Sequence, residues 1–372
     1  MLVKFLDMIP WMTLRYCLRR QSSPLLRMLV GSDRPRVLEP NEAISIMSDV
    51  SEAVHLLEGS SRIREFLRQV LRFQPVPLHS VARSTSLTVP VASALRRELE
   101  KRKLLSRKGG IVLTEHGLSL LESIGVRETQ IPGLQSGYPF PEWLNPVVEK
   151  LDILLSSRPG PDFSLDQSHA DTATIAMRAA YLYEHDGIEG KDLLFLGDDD
   201  LTSLATITFA KKFGLQLGSV VVLDVDERIL EFVEETCVSI GCDIQTHCLD
   251  LKYGIPEQLK NSFDTFVTDP PYTVTGLSLF VGRGIEALKP GVGGQCFLSY
   301  GSKNPSDSVK IYASITSMGL AIQEVIPEFN SYVGAQIYAG VSNMIRCVTS
   351  EGTSALIPED LSTLYTSSRK QR

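Results

Sequence analysis

The chain has 372 residues, 43% of them hydrophobic and 22% charged, with a formal net charge of −7. That length predicts two domains with room for terminal segments. The composition excludes a long disordered or fibrous chain, and no apolar run approaches the ~18 residues needed to cross a membrane. The charge is unevenly spread, because residues 61–110 carry twelve Lys and Arg against three Glu. A basic module is therefore joined to an acidic remainder. Six cysteines, at positions 17, 237, 242, 248, 296 and 347, contain no CxxC pair and no zinc spacing. They read as reduced thiols of a cytoplasmic protein.

Residues 1–50 form an N-terminal extension whose first thirty residues are apolar and basic with one acid, Asp7. Such a stretch is expected either from a start assigned too early, with Met28 or Met47 as the better start, or from an organelle transit peptide. Residues 51–130 predict a compact winged-helix-like domain. "REFLRQVLRF" has helical spacing, "PLHSVARSTS" and "VPVASALRRELEKRKLL" give two more helices, and "SRKGGIVLTEHG" gives a short hairpin with Gly109 and Gly110 at its tip. The basic residues would form a solvated face of a dimerisation or substrate-covering module. The alternative is that the helix at 91–104 meets phosphates of nucleic acid.

Residues 131–165 are rich in Pro and Gly and read as a linker or arm. A helix follows at about 170–185. From Lys191 to residue 352, apolar strands alternate with helices, which predicts a Rossmann-like, doubly wound α/β sheet of the AdoMet-methyltransferase kind. Two late strands, near 321–327 and 344–349, would close it antiparallel. Residues 353–372 are expected to be a loosely held tail.

Ligands in such sheets bind outside the carboxyl ends of the strands. Four acidic sites fall there: Asp198–Asp200, Asp224, Asp250 and Asp269. Asp224, at the tip of the second strand, suits a ribose hydroxyl pair, and Asp250, after the third, suits an adenine amino group. Asp226 is a candidate N-cap for the helix that follows it. "DPPYT" at 269–273 is the most specific signal. Its prolines fix the turn, so the Asp269 carboxylate and the Pro270 carbonyl converge on one spot and can accept hydrogen bonds from an amine. Tyr272 offers a face for stacking or for a cation.

The first turn, after Gly197, replaces the usual glycines with Asp198, Asp199 and Asp200. Two unit charges 4 Å apart interact by about 1 kcal/mol in water and about 4 kcal/mol at an effective dielectric of 20. Three aspartates would therefore repel the carboxylate of AdoMet. They suit decarboxylated AdoMet, which carries an ammonium and a sulfonium, and they suit a polyamine acceptor. Asp200 could instead cap the following helix, which accounts for one aspartate of the three.

"FLGDDDLTSLA", "LDVDERIL", "FDTFVTDPPYT" and "DQSHADTATIAMRAA" together resemble the branched-chain polyamine synthases, or N(4)-bis(aminopropyl)spermidine synthases. The resemblance covers roughly residues 50 to 350. It implies a small winged-helix-like domain before a Rossmann-like catalytic domain. It further implies transfer of 3-aminopropyl groups from decarboxylated AdoMet to the central secondary nitrogen of spermidine, with methylthioadenosine released. On that reading Asp199 and Asp269 act in proton transfer beside Tyr272. Asp198 and Asp200 hold amine groups of donor and acceptor, Asp224 holds ribose, and Asp250 holds adenine. Gln167 and Asp166 line the donor pocket on the strength of the resemblance, and His169 stands behind the site. No metal or resident cofactor is called for, decarboxylated AdoMet being a co-substrate. The expected partners are spermidine, this donor and a second copy of the chain in a homodimer, with no membrane and no nucleic acid, in the cytoplasm. Two rival readings share parts of the pattern. An AdoMet-dependent amino-methyltransferase acting on nucleic acid or protein would share DPPY but have a Gly-rich first turn. A winged-helix regulator would only sense a polyamine.

Overall fold

A computed structural model describes residues 38–333 and 340–366. The expectations for residues 1–37, including a start at Met28, a transit peptide and Cys17, and for residues 367–372 lie outside the described residues. The N-terminal module comprises α1 (Pro40–Ala53), α2 (Gly59–Phe73), α3 (Leu78–Ser84), α4 (Val89–Lys101), a hairpin of β1 (Leu105–Arg107) and β2 (Ile111–Leu113), and α5 (Glu115–Ser123). Gly109 turns the hairpin at φ +72°. Leu38, Ala43, Met47 and Val50 are buried in one core with Ile63, Phe66, Leu95 and Leu120. The module therefore begins at least as early as residue 38, so the expected boundary at residue 50 is corrected.

Many of the basic residues of this module have partners. Arg64, Arg68 and Arg72 stand at i, i+4 and i+8 on α2 and so share one face. Arg64 donates twice to Asp186, at 2.9 and 3.1 Å. Arg68 donates to Glu189 at 3.1 Å and to the Tyr183 carbonyl at 2.7 Å. Arg72 donates to Glu184 at 3.1 Å. On α4 and the hairpin, Arg96 and Arg107 pair with Glu100, while Lys101 and Arg102 pair with Glu98. The solvated basic face expected from the sequence is thus partly a buried docking seam to the catalytic domain, and part of the remainder pairs with Glu98 and Glu100.

The stretch expected to be a linker carries α6 (Asn145–Leu154). Leu144, Val147 and Leu151 are fully buried in the same core as Phe195, Phe209 and Tyr181. Trp143 packs edge-on against Phe213 with centroids 5.8 Å apart. Proline content misled here, because Pro146 lies in the first turn of α6, where its missing N–H costs nothing. Val147→Ala is expected to cost about 2 kcal/mol, from two lost methyl groups and the cavity they leave. A free linker would show no change in thermal unfolding.

The catalytic domain follows α7 (Thr172–Glu184). Its elements are β3 (Leu193–Leu196), α8 (Thr202–Phe213), β4 (Val220–Asp224), α9 (Glu227–Ile240), β5 (Gln245–Cys248), β6 (Thr265–Thr268), α10 (Val274–Ala287), β7 (Gln295–Tyr300), α11 (Pro305–Ser317), β8 (Leu320–Ser331) and β9 (Val341–Thr349). The seven strands lie in the order β5-β4-β3-β6-β7-β9-β8. The first five are parallel, and β9 runs antiparallel to both β7 and β8. The fold is the expected Rossmann-like α/β sheet of AdoMet-methyltransferase type, and its strand order reverses between β3 and β6. That switch point opens a crevice at the carboxyl ends, where the aspartate block and DPPYT both emerge.

The segment after residue 352 departs from the expectation of a loose tail. Leu364 is buried and its carbonyl accepts from the Thr273 hydroxyl at 2.8 Å. The Thr366 amide and hydroxyl both donate to Asp166 at 2.6 Å. The tail is held through residue 366 against the DPPYT turn.

Candidate active site

Strand β3 ends at Gly197, whose φ of +66° and approach to the Phe280 ring both favour a residue without Cβ (an added Cβ would sit 3.1 Å from Phe280 Cε1). The next three side chains diverge. Asp198 turns inward and accepts from the Ser203 amide at 3.2 Å and its hydroxyl at 2.5 Å. It thereby satisfies a free N–H at the start of α8. Burial pushes its carboxyl up to about 7. Asp200 also turns inward, accepting from the Ala170 amide at 2.5 Å and from Arg178 at 2.7 Å. Between them, Asp199 faces the crevice and accepts from the Ser168 amide at 3.1 Å. Burial, followed by the charges of Asp200, Asp224 and Asp269, holds its carboxyl well above the usual range.

Arg178 organises the far wall. It sits on α7 among apolar residues, with only 2% of its surface exposed. Its guanidinium reaches Asp200 at 2.7 Å, Asp269 at 3.0 Å, the Thr202 hydroxyl at 3.1 Å, the Tyr332 hydroxyl at 3.0 Å and the Asn330 side-chain carbonyl at 2.7 Å. Tyr332 donates to Asp269 at 2.5 Å, and Tyr272 donates to Tyr332 at 3.0 Å. Burial pushes the Asp269 carboxyl up to about 7 against the pull of Arg178.

A cleft opens over these groups. Its walls include Asp166, Gln167, Gly197, Asp199, Asp224, Asp250 and Asp269, with Phe280, Pro271 and Tyr365 as apolar surface. Asp224 accepts from the amides of Asp198 and Asp226 at 2.8 and 2.9 Å, and burial raises its pKa. Gln167 donates to Asp226 at 3.0 Å. Asp226 caps α9 through the Arg228 amide at 3.1 Å. Asp250 is tied to Lys252 at 3.0 Å. Burial, with Asp250, Asp166 and Asp224 nearby, pushes the Tyr365 phenol up to about 12. His169 is buried behind the wall, its Nε2 unpartnered among the described residues. Burial lowers its pKa to about 4, so the ring is neutral.

The structure brings Gln167, Gly197, Asp199, Asp224, Asp250 and Asp269 to one cleft. It turns Asp198 and Asp200 away from it, against the expectation that they grip amines. Helix α8 is capped by Asp198, not by Asp200, because Leu201 adopts a left-handed φ of +62° and swings Asp200 towards Arg178. Pro270 is buried, and Pro271 is the proline that lines the cleft. Sequence reasoning missed Arg178, Tyr332 and Tyr365. Arg178 did leave a sign, as the only charge in the stretch "TATIAMRAAYLY".

Fold and cleft together define a Rossmann-like transferase whose site is lined by carboxylates. Residues 146–359 match the profile of the branched-chain polyamine synthase A C-terminal domain. An N(4)-bis(aminopropyl)spermidine synthase of Thermus thermophilus is 30% identical over 279 residues, covering 74% of this chain and 75% of that one. An uncharacterised protein of Methanocaldococcus jannaschii is 35% identical over 325 residues, 86% of this chain and 81% of that one. The crystal structure of the Thermus thermophilus branched-chain polyamine synthase, in complex with N4-aminopropylspermidine and 5'-methylthioadenosine, shares the fold. Its TM-score is 0.52 at 24% identity, covering 87% of this chain and 98% of that one. The chain belongs to the branched-chain polyamine synthase family, and it is an aminopropyltransferase.

Proposed function

We propose that the enzyme transfers 3-aminopropyl groups from decarboxylated AdoMet to the central secondary amine of spermidine, giving branched-chain polyamines and methylthioadenosine. One observation carries this reading: five aspartates and neither Lys nor Arg line the cleft. Each of these carboxylates, when ionised, disfavours an anionic methionine end and favours an ammonium, by about 4 kcal/mol for a close unpaired pair at an effective dielectric of 20. The names of the curated relatives agree with it.

The attacking amine nitrogen forms a bond to the propyl carbon on sulfur. The carbon–sulfur bond breaks, and its electron pair leaves with the neutral thioether of methylthioadenosine. Spermidine arrives protonated, so a proton must leave its central nitrogen. Asp199, which faces the cleft, takes that proton once the cationic substrates beside it favour its ionised form. Asp269, held by Arg178 and Tyr332, positions the amine through its carboxylate. Asp224 holds the ribose and Asp250 the adenine, with Gln167 beside them.

Incubation with spermidine and either donor tests the reading. Methylthioadenosine is expected with decarboxylated AdoMet only, at least tenfold above the rate with AdoMet. S-adenosylhomocysteine formed from AdoMet, or no product from either donor, would overturn it.

A further inference from the structure

Residues 158–171 run as a strap from α6 to α7 and lay two backbone amides on the aspartate turn. The Ser168 amide donates to Asp199 at 3.1 Å, and the Ala170 amide donates to Asp200 at 2.5 Å. The first is the one hydrogen bond that the Asp199 carboxylate accepts among the described residues, so its direction in the cleft depends on the strap. Gln167 uses both ends of its side-chain amide to hold the strap in place. It accepts from the Asp162 amide at 2.7 Å and donates to Asp226 at 3.0 Å. The His169 carbonyl accepts from the Val333 amide at 2.9 Å, and the Asp171 amide donates to the Ser331 carbonyl at 3.1 Å. The Arg158 guanidinium closes the loop by donating to the Ala170 carbonyl at 3.2 Å.

Arg158 is half-buried and has no ion pair among the described residues. Burial lowers its pKa, and the charges of Asp200, Asp199 and Asp171 oppose that fall. The guanidinium nevertheless stays charged. Asp199 stands among Asp200 of its own turn, Asp224 at the end of β4 and Asp269 after β6. His169, on the strap, is neutral. Arg178 is paired with Asp200 and Asp269, and Arg228 with Asp226, whereas Arg158 faces the turn without a carboxylate partner. A cation that is near but unpaired favours the ionised carboxylate without occupying it. We propose that Arg158 is a positioning residue for the transfer: it clasps the strap so that the Ser168 amide aims Asp199 at the substrate, and its charge supports the form of Asp199 that accepts a proton. This rests on the reading of Asp199 as the proton acceptor.

Arg158→Met separates this from a merely structural arginine. With both substrates saturating, kcat for methylthioadenosine release should fall about five- to twentyfold, and the acid limb of the kcat–pH profile should move up by about half a pH unit. Arg158→Lys keeps the charge and should leave that limb in place. In an Asp199→Asn background, Arg158→Met should cost less than about twofold more, because the group it acts through is already gone. An unmoved acid limb in Arg158→Met, or full additivity of the two substitutions, would overturn the proposal. Hydrogen exchange needs no turnover. Faster exchange confined to the Ser168 and Ala170 amides in Arg158→Met supports the clasp, while unchanged exchange, or faster exchange throughout the chain, overturns it. If wild-type enzyme releases no methylthioadenosine, or Asp199→Asn keeps full turnover, the functional reading fails instead, and exchange decides the clasp alone.

Discussion

Asp199→Asn is expected to lower kcat by about 10²- to 10⁴-fold, the usual weight of a positioned proton acceptor, without lowering thermal stability. The two effects separate because the carboxyl is held well above its ordinary value by burial and by neighbouring carboxylates. Between the unfolded value near 4 and the higher folded value, the unfolded chain binds fewer protons than the folded one. Stability contributed by this group therefore falls as pH rises through that window. The asparagine variant loses that penalty, so its Tm should equal or exceed wild type at pH 8, by a margin that narrows at pH 5. Methylthioadenosine release and thermal unfolding at the two pH values measure both arms. Turnover within threefold of wild type would remove Asp199 from proton transfer. A Tm loss at pH 8 would show that its charge is stabilising.

Arg178→Met should have the largest structural effect. It removes the guanidinium shared by Asp200 and Asp269 and leaves two buried carboxylates without a counter-charge, a loss of about 3–5 kcal/mol. The loss should depend on pH with a definite sign. The Asp269 pKa is already pushed up to about 7 with the arginine present, and it rises further without it. Above pH 7 the variant must ionise a carboxyl that prefers its proton, and below that the proton is retained. The Tm deficit should therefore be greatest at pH 8 and shrink towards pH 5. A deficit that does not change with pH would mean that packing, not charge, is what Arg178 supplies.

Much of the site was legible because it hangs on local patterns. An apolar strand followed by an acid at its carboxyl end locates Asp199, Asp224 and Asp269 without any tertiary knowledge, Asp250 follows the more polar β5, and DPPYT fixes its own turn. The orientations of Asp198 and Asp200 were not legible. They depend on the left-handed Leu201, a backbone state that no β-branched or glycine signal announces. Tyr332 and Tyr365 come from distant segments, one at the end of β8 and the other in a stretch that composition marks as tail. The same limit hid α6, where prolines suggested a linker and the buried Leu144, Val147 and Leu151 show a core helix. Periodicity finds elements; it does not find partners that meet only after folding.

The arginine row of α2 bears on whether the two modules are separable. Its counter-charges, Glu184, Asp186 and Glu189, lie at and just beyond the end of α7, the helix that also carries Arg178 six residues before Glu184. At 1.5 Å per residue these positions are about 9 Å apart along one rod. A catalytic fragment cut free near residue 130 would expose three carboxylates whose cations had left with the other half. The division that the sequence draws between a basic module and an acidic one is thus a division of charge within one folding unit, and neither part is electrically complete without the other.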